Sequence, residues 1–281
     1  MGGMVRPHLP GHSPGPLLLA ALAAAVVAPA TTAQIHPLDL QSVRQSLDSG
    51  YVANAAPNTQ PVFRGSIHVP AATWLRLYFE HTNLPGDARL ELRSVKDGAV
   101  QWLDAHALRD YGNSSAYFNG NRVAVTLHAG ANSRGNRVRV VRAEFERHPI
   151  GEPETICGPT DDRRPVTDKR IGRGVSGTSA CTWWLIDEFT ILTAGHCARV
   201  SGTPIIGFNI PFSDANGNLI HPPPEHQYPI DPSSLRRLNS GVGRDWAVVA
   251  ARRNSNHGQY PGQRQGQWFE LGAVPPSPNG V

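Results

Sequence analysis

Between residues 61 and 148 apolar and polar positions alternate in short runs. "VFRGSIHVP" alternates, and "TWLRLYFE" sets Trp74, Leu77 and Phe79 among polar partners. "ARLELRSV" alternates Leu90, Leu92 and Val95 with charges, and "RVAVTLHAG" does the same with Val123, Val125 and Leu127. "GAVQWLD" follows the turn residues Lys96-Asp97-Gly98, and "RVRVVRAEFER" follows a Gly135-Asn136 turn. A period of two, punctuated by Gly, Asn and Asp, predicts roughly six or seven short strands folded as an antiparallel β-sandwich. The run holds no cysteine and its pattern closes on itself. That predicts a module folding independently, as a pro-domain or an accessory binding module. His68, His81, His106 and His128 are scattered through it and read as surface or satisfied core histidines, not metal ligands.

The flanks differ. Residues 34–60 are polar and read as an N-terminal arm. Within them "IHPLDLQSVRQSL" predicts one short helix, with Leu38, Leu40, Val43 and Leu47 on one side. Residues 149–169 are rich in Pro and charge and read as a linker. Strand signals return over 170–281: "ACTWWLI" and "FTILTA" are two β-rich runs joined by the polar turn Asp187-Glu188. "NIPFSDANGNLI" reads as a hairpin around Asn216-Gly217, and "HPPPEH" as a long surface loop. The expected fold is all-β.

Composition narrows the partners. Only 17% of the 281 residues are charged, the net charge is +4, and Gly (28) and Pro (25) are abundant, which favours β-structure with many turns. Arg236-Arg237 and Arg252-Arg253 are isolated pairs and not a basic stripe, so nucleic acid is not expected as a partner. Residues 1–33 read as a signal peptide. The apolar core 17–28 has the length of a signal h-region and is too short to span a bilayer comfortably, and Thr31 and Ala33 are small residues at the −3 and −1 positions of a cut before Gln34. The expected product is exported, secreted or periplasmic, with no membrane association after cleavage. Outside the cytosol, two of the three cysteines Cys157, Cys181 and Cys197 would be expected to pair.

The chemistry gathers in "CTWWLIDEFTILTAGHC" and "SGVGRDWAVVAARR". Cys181 and Cys197 bracket a hairpin, and a disulfide between them would close a loop of about 16 residues, worth up to about 3 kcal/mol in the entropic account. It would also brace His196, with Ala194 and Gly195 leaving room around the imidazole. These residues alone fit a braced general base and a plain hairpin staple equally well. Asp245 stands at the edge of an apolar run, where a carboxylate costs desolvation energy unless something pairs with it. An imidazole N–H is one such partner, and a strand-end turn is the other reading.

The first segment closely resembles the histidine loop of trypsin/chymotrypsin-like serine peptidases, and "RDWAVV" resembles the segment around their triad aspartate. The C-T-x-W-L-I flavour is similar to the bacterial glutamyl- and lysyl-endopeptidase branches. The resemblance covers about residues 157–281. It implies the first β-barrel half of a trypsin-like double barrel over 170–281, a polypeptide substrate, no cofactor and no metal. It makes His196 the general base, Asp245 its orienting partner, and Cys181–Cys197 a disulfide.

Two departures qualify it. Ile171 in "KRIGRG" lies only about ten residues before Cys181, so "RIGRGVSG" is expected to be the first barrel strand, with any processing within 149–168. The family's nucleophile sits in Gly-Asp-Ser-Gly-Gly after the aspartate. Here the later serines are Ser255 and Ser277, neither in a Gly-rich turn that would supply oxyanion donors. The expectation is a serine endopeptidase chain truncated before its nucleophile and inactive alone, with Cys157 unpaired because the lysyl-endopeptidase branch links such a cysteine to the second barrel. A non-catalytic secreted binding module that keeps the half-fold is the alternative. A metal hydrolase using His221, Glu225 and His226 with His196 and Cys197 is disfavoured, because three prolines prevent a helical ligand face.

Overall fold

The alternating runs build two four-stranded antiparallel sheets facing each other. Their strands are β1 (Leu40–Asp48), β2 (Val52–Asn54), β3 (Gln60–His68), β4 (Trp74–Phe79), β5 (Arg89–Ser94), β6 (Val100–Leu103), β7 (Phe118–Asn119), β8 (Arg122–Ala129), β9 (Ser133–Asn136) and β10 (Arg139–Glu146), with the short helix α1 (Ala105–Asp110) after β6. One sheet has the order β1-β10-β4-β7, the other β3-β8-β5-β6, and β2 and β9 form a ribbon. The computed structural model describes residues 40–146, 166–176, 179–198, 204–214, 218–241 and 243–273. Val123, Val125 and Leu127 on β8 and Leu90 and Leu92 on β5 are buried, as the alternation predicts, together with Leu75 and Leu77. Val95 is exposed, because β5 ends at Ser94 and Val95 opens the turn.

Two expectations change here. From Leu40 onward the helix predicted within "IHPLDLQSVRQSL" is instead β1, paired antiparallel with β10 in a register that sets Val43 against Ala143. Leu40 and Leu47 pack on the sandwich core, so an open sheet edge overrode the local helical spacing. The sandwich therefore starts at Leu40 and not at residue 61. The Gly135-Asn136 turn is likewise the end of β9, with Gly135 at φ +74°, while the chain reverses at residues 131–132.

The second half is one seven-stranded sheet: β11 (Ile171–Ser176), β12 (Ser179–Leu185), β13 (Thr190–Thr193), β14 (Ile205–Phe208), β15 (Gln227–Pro229), β16 (Arg236–Asn239) and β17 (Asp245–Ala250), followed by the short helix α2 (Pro261–Gln265). The order is β15-β14-β11-β12-β13-β17-β16. Its two edge strands, β15 and β16, are consecutive in the chain and joined by a 3-10 turn over Pro232–Ser234. Ile230 bridges Ala251, Asp231 N–H donates to Ala250 O (2.8 Å) and Arg252 N–H donates to Pro229 O (2.8 Å). These contacts tie the β15 edge to the end of β17, next to the opposite edge, so the sheet curls into a barrel. Trp183, Leu185, Ile191, Ile206, Phe208, Tyr228 and Val249 fill it. Gly174 is required at its position, because a Cβ there would lie 2.1 Å from the Trp183 indole nitrogen. Ile171–Ser176 of "RIGRGVSG" is thus a barrel strand, as the sequence predicts. Residues 149–165 of the predicted linker 149–169, Cys157, the signal segment and Asn216-Gly217 lie outside the described residues.

Sandwich and barrel meet along a buried seam. Ile35–Val281 form one compact unit. Trp74 and Arg76 lie on the face of β4 turned away from Leu75 and Leu77, yet both are buried. Three carboxamides cross the seam, each gripping backbone as a strand partner would. Gln227 accepts from Tyr117 N–H and donates to Tyr117 O (both 2.8 Å). Asn119 accepts from His221 N–H (2.9 Å) and donates to His221 O (3.0 Å). Asn256 accepts from Trp102 N–H (2.8 Å) and donates to Val100 O (2.7 Å) on the edge strand β6. The "HPPPEH" segment expected on the surface is instead part of this seam: the ring of His221 stacks on Tyr117 at 4.4 Å and is buried.

Candidate functional site

His196 is placed by a hairpin, a turn and a crosslink. Asp187 closes the hairpin between β12 and β13, its carboxylate accepting from Phe189 N–H (2.7 Å) and Thr190 N–H (2.5 Å). β13 pairs on its other side with β17, setting Thr193 opposite Ala247. The end of β13 therefore lies beside the start of β17, where Asp245 is the first residue. After Thr193 the chain tightens: Cys197 N–H donates to Ala194 O (3.1 Å), and Ala198 N–H to Gly195 O (3.3 Å). Cys197 is bonded to Cys181 on β12, with 6.0 Å between the Cα atoms. The turn carrying His196 is thus held to β12 covalently and to β17 by hydrogen bonds.

The carboxylate of Asp245 takes two donors from His196. The backbone N–H reaches Oδ1 at 2.9 Å and the ring Nδ1 lies 2.5 Å from Oδ2. The hydrogen bond from the His196 ring, with those from the backbone amides of His196 and Gly195, holds the Asp245 carboxyl below its ordinary range. A carboxylate on Nδ1 fixes the neutral tautomer with its proton there and leaves Nε2 as the acceptor. Both side chains are partly open to solvent, with 30% and 26% exposure for His196 and Asp245. The arrangement is an oriented imidazole that can take a proton from an approaching hydroxyl.

Two features of this turn escaped the sequence reading. Gly195 does not leave room around the imidazole, because a Cβ there would meet Leu238 O at 1.9 Å and Trp246 O at 2.9 Å. The backbones of β16 and β17 fill that space. Arg237 on β16 donates to Ala198 O (3.2 Å), pinning the far side of the turn. The sequence signal for Arg237 was only a basic pair.

The other site expectations separate from this pair. The ligand atoms of Cys181, His196 and Cys197 lie within 4.8 Å of one another. Both sulfurs are consumed by the disulfide and Nδ1 is given to Asp245, so these atoms do not form a thiolate–imidazole ligand set. Glu225 and His226 are in a 3-10 turn, the His226 ring faces Asn209 at 3.3 Å, and His221 stacks in the seam. No contact brings these three to His196 among the described residues. Ser255 lies in the seam, where Gln101 reaches its hydroxyl at 3.4 Å, and Ser277 is outside the described residues. No helix among the described residues is long and apolar enough to cross a membrane. No protein-family model matches the chain, and no curated protein matches it either.

Proposed function

We propose that this chain carries the first barrel and the base–carboxylate pair of an exported serine-type endopeptidase of the trypsin/chymotrypsin-like kind. The observation that supports this most is the double contact of His196 with Asp245 on a curled barrel, braced by Cys181–Cys197. In this reading His196 removes the proton of an attacking serine hydroxyl and returns it to the leaving amine. Asp245 holds the tautomer and stabilises the imidazolium that forms between the two steps. In this reading the nucleophile, the oxyanion donors and the specificity pocket would be supplied by a second barrel, as in the family the histidine loop resembles. The disulfide favours an oxidising compartment, which agrees with export through the N-terminal segment. The substrate class is polypeptide.

A second reading is a secreted module that binds without catalysis: Ser255 meets Gln101 in the seam and not His196. Two measurements separate the readings. The purified chain and its His196→Ala variant are assayed on peptide and ester substrates, and the DNA beyond the codon for Val281 is read. The peptidase reading expects no turnover from the chain and a frame encoding Gly-Asp-Ser-Gly-Gly downstream. Turnover abolished in His196→Ala would place the nucleophile inside these residues and overturn the half-enzyme assignment. Unrelated downstream sequence would favour the binding module.

A further inference from the structure

The seam between sandwich and barrel is built around a histidine for which the proposed chemistry has no use. His221 is 3% exposed. Its ring lies flat on Tyr117 (4.4 Å, 8° between planes) and edge-on to Trp74 (5.2 Å). Its Nε2 is buried with no hydrogen-bond partner among the described residues. The backbone of the same residue is one of the three seam grips, through Asn119. The charges around it are mostly of one sign. Arg173 approaches from β11, donating to the carbonyl of the preceding Ile220 (2.8 Å), and Arg76 approaches from β4, bonded to Ser114, Ser115 O and Tyr117. The acids nearby are Glu146 on β10, which accepts from the Trp74 indole (3.1 Å), and Glu144, which accepts from Tyr78. Glu225 and His226 follow on the same loop.

We propose that His221 is an acid-sensitive latch whose protonation parts the sandwich from the barrel along this seam. A proton on the imidazole would add a cation near two guanidiniums in a dry site, with no acceptor for Nε2–H. Opening returns the ring to water. Burial, then Arg173 and Arg76, hold His221 well below its ordinary value of 6.5 while the seam is closed. The closed form thus stays neutral, and the open form takes up the proton as pH falls through about 6.5. Each further pH unit favours opening up to about tenfold, so going from pH 7.5 to 5.5 favours it about tenfold. This inference stands apart from the peptidase reading, since it needs only the seam.

The test is hydrogen exchange on the full chain at pH 7.5 and 5.5, corrected for intrinsic rates. The reporters are the amides of Tyr117 and His221, which donate to Gln227 and Asn119. The expected result is about tenfold less protection at pH 5.5 for these amides, unchanged protection in β13 and β17, and no pH response of the seam in His221→Phe, which keeps a stacking ring. Seam protection that ignores pH, or a response that survives in His221→Phe, overturns the latch. Should that variant not fold, the His221 ring is followed by NMR in the wild-type chain. Proton uptake in step with the loss of seam protection supports the latch, and uptake while the seam stays protected overturns it.

Discussion

Gly195 has no room for a β-carbon: one built there would lie 1.9 Å from the carbonyl oxygen of Leu238. Its φ is not in the left-handed region, so the requirement is steric closeness and not backbone freedom. The turn carrying His196 is pressed onto β16 and β17, and that closeness lets Asp245 reach both the backbone and the ring of His196. Gly195→Ala must push the turn away from the barrel. The expected cost is about 3 kcal/mol, at the upper end of overpacking, read as a lowered Tm. The low-field proton resonance of the His196–Asp245 hydrogen bond should vanish with it. A variant with unchanged Tm and resonance would show that the turn does not rest on Leu238.

Gln227 joins the halves by gripping the Tyr117 backbone, and this grip is buried. Its amide also donates to Pro222 O (2.7 Å), and its own carbonyl accepts from the Tyr111 hydroxyl (2.8 Å). Gln227→Leu strands the Tyr117 N–H and carbonyl in a dry seam. An unsatisfied buried group costs about 1–3 kcal/mol, so about 3 kcal/mol is expected for the pair in urea unfolding. For the same reason a 61–148 fragment should lack a cooperative thermal transition, since it loses β1 from β10 and uncovers Trp74 and Arg76. A sharp, reversible transition for that fragment would show that the seam is dispensable to the sandwich.

Asp48 at the end of β1 takes both arms of Arg137, from Nε at 2.9 Å and from a terminal nitrogen at 2.5 Å. That pairing, with the hydrogen bond from Gly50 N–H (2.9 Å), lowers its pKa to about 2 from an ordinary 3.8. A carboxylate held below its unfolded value stabilises the fold above that value, and the contribution disappears as pH falls through the lower one. Wild-type stability should therefore drop more steeply than that of Asp48→Asn between about pH 4 and pH 2. In Arg137→Gln the Asp48 carboxyl should titrate higher than in wild type by NMR, closer to its ordinary value. Parallel stability curves for wild type and Asp48→Asn would refute the coupling.

The sequence by itself determined the all-β class and the strands whose alternation is strict. Leu90, Leu92, Val123, Val125 and Leu127 face inward because period-two alternation leaves them one common side. A short hairpin makes the proximity of Cys181, His196 and Cys197 a local matter, but the pairing of His196 with Asp245 is legible only through the resemblance to the peptidase histidine loop and aspartate segment. Tertiary structure alone decided what depends on distant chain. The segment 38–47 has helical spacing, yet β10 offered it an open edge, and the ladder it forms there gave β1. "HPPPEH" looked like solvated loop because its polar side chains have no local partners. Asn119, Tyr117 and Arg173, all distant in sequence, surround it and make burial the lower-energy state. Gly195 read as space because the sequence cannot show which backbone will pass within 2 Å of a missing side chain; only the closing of the barrel brings Leu238 there.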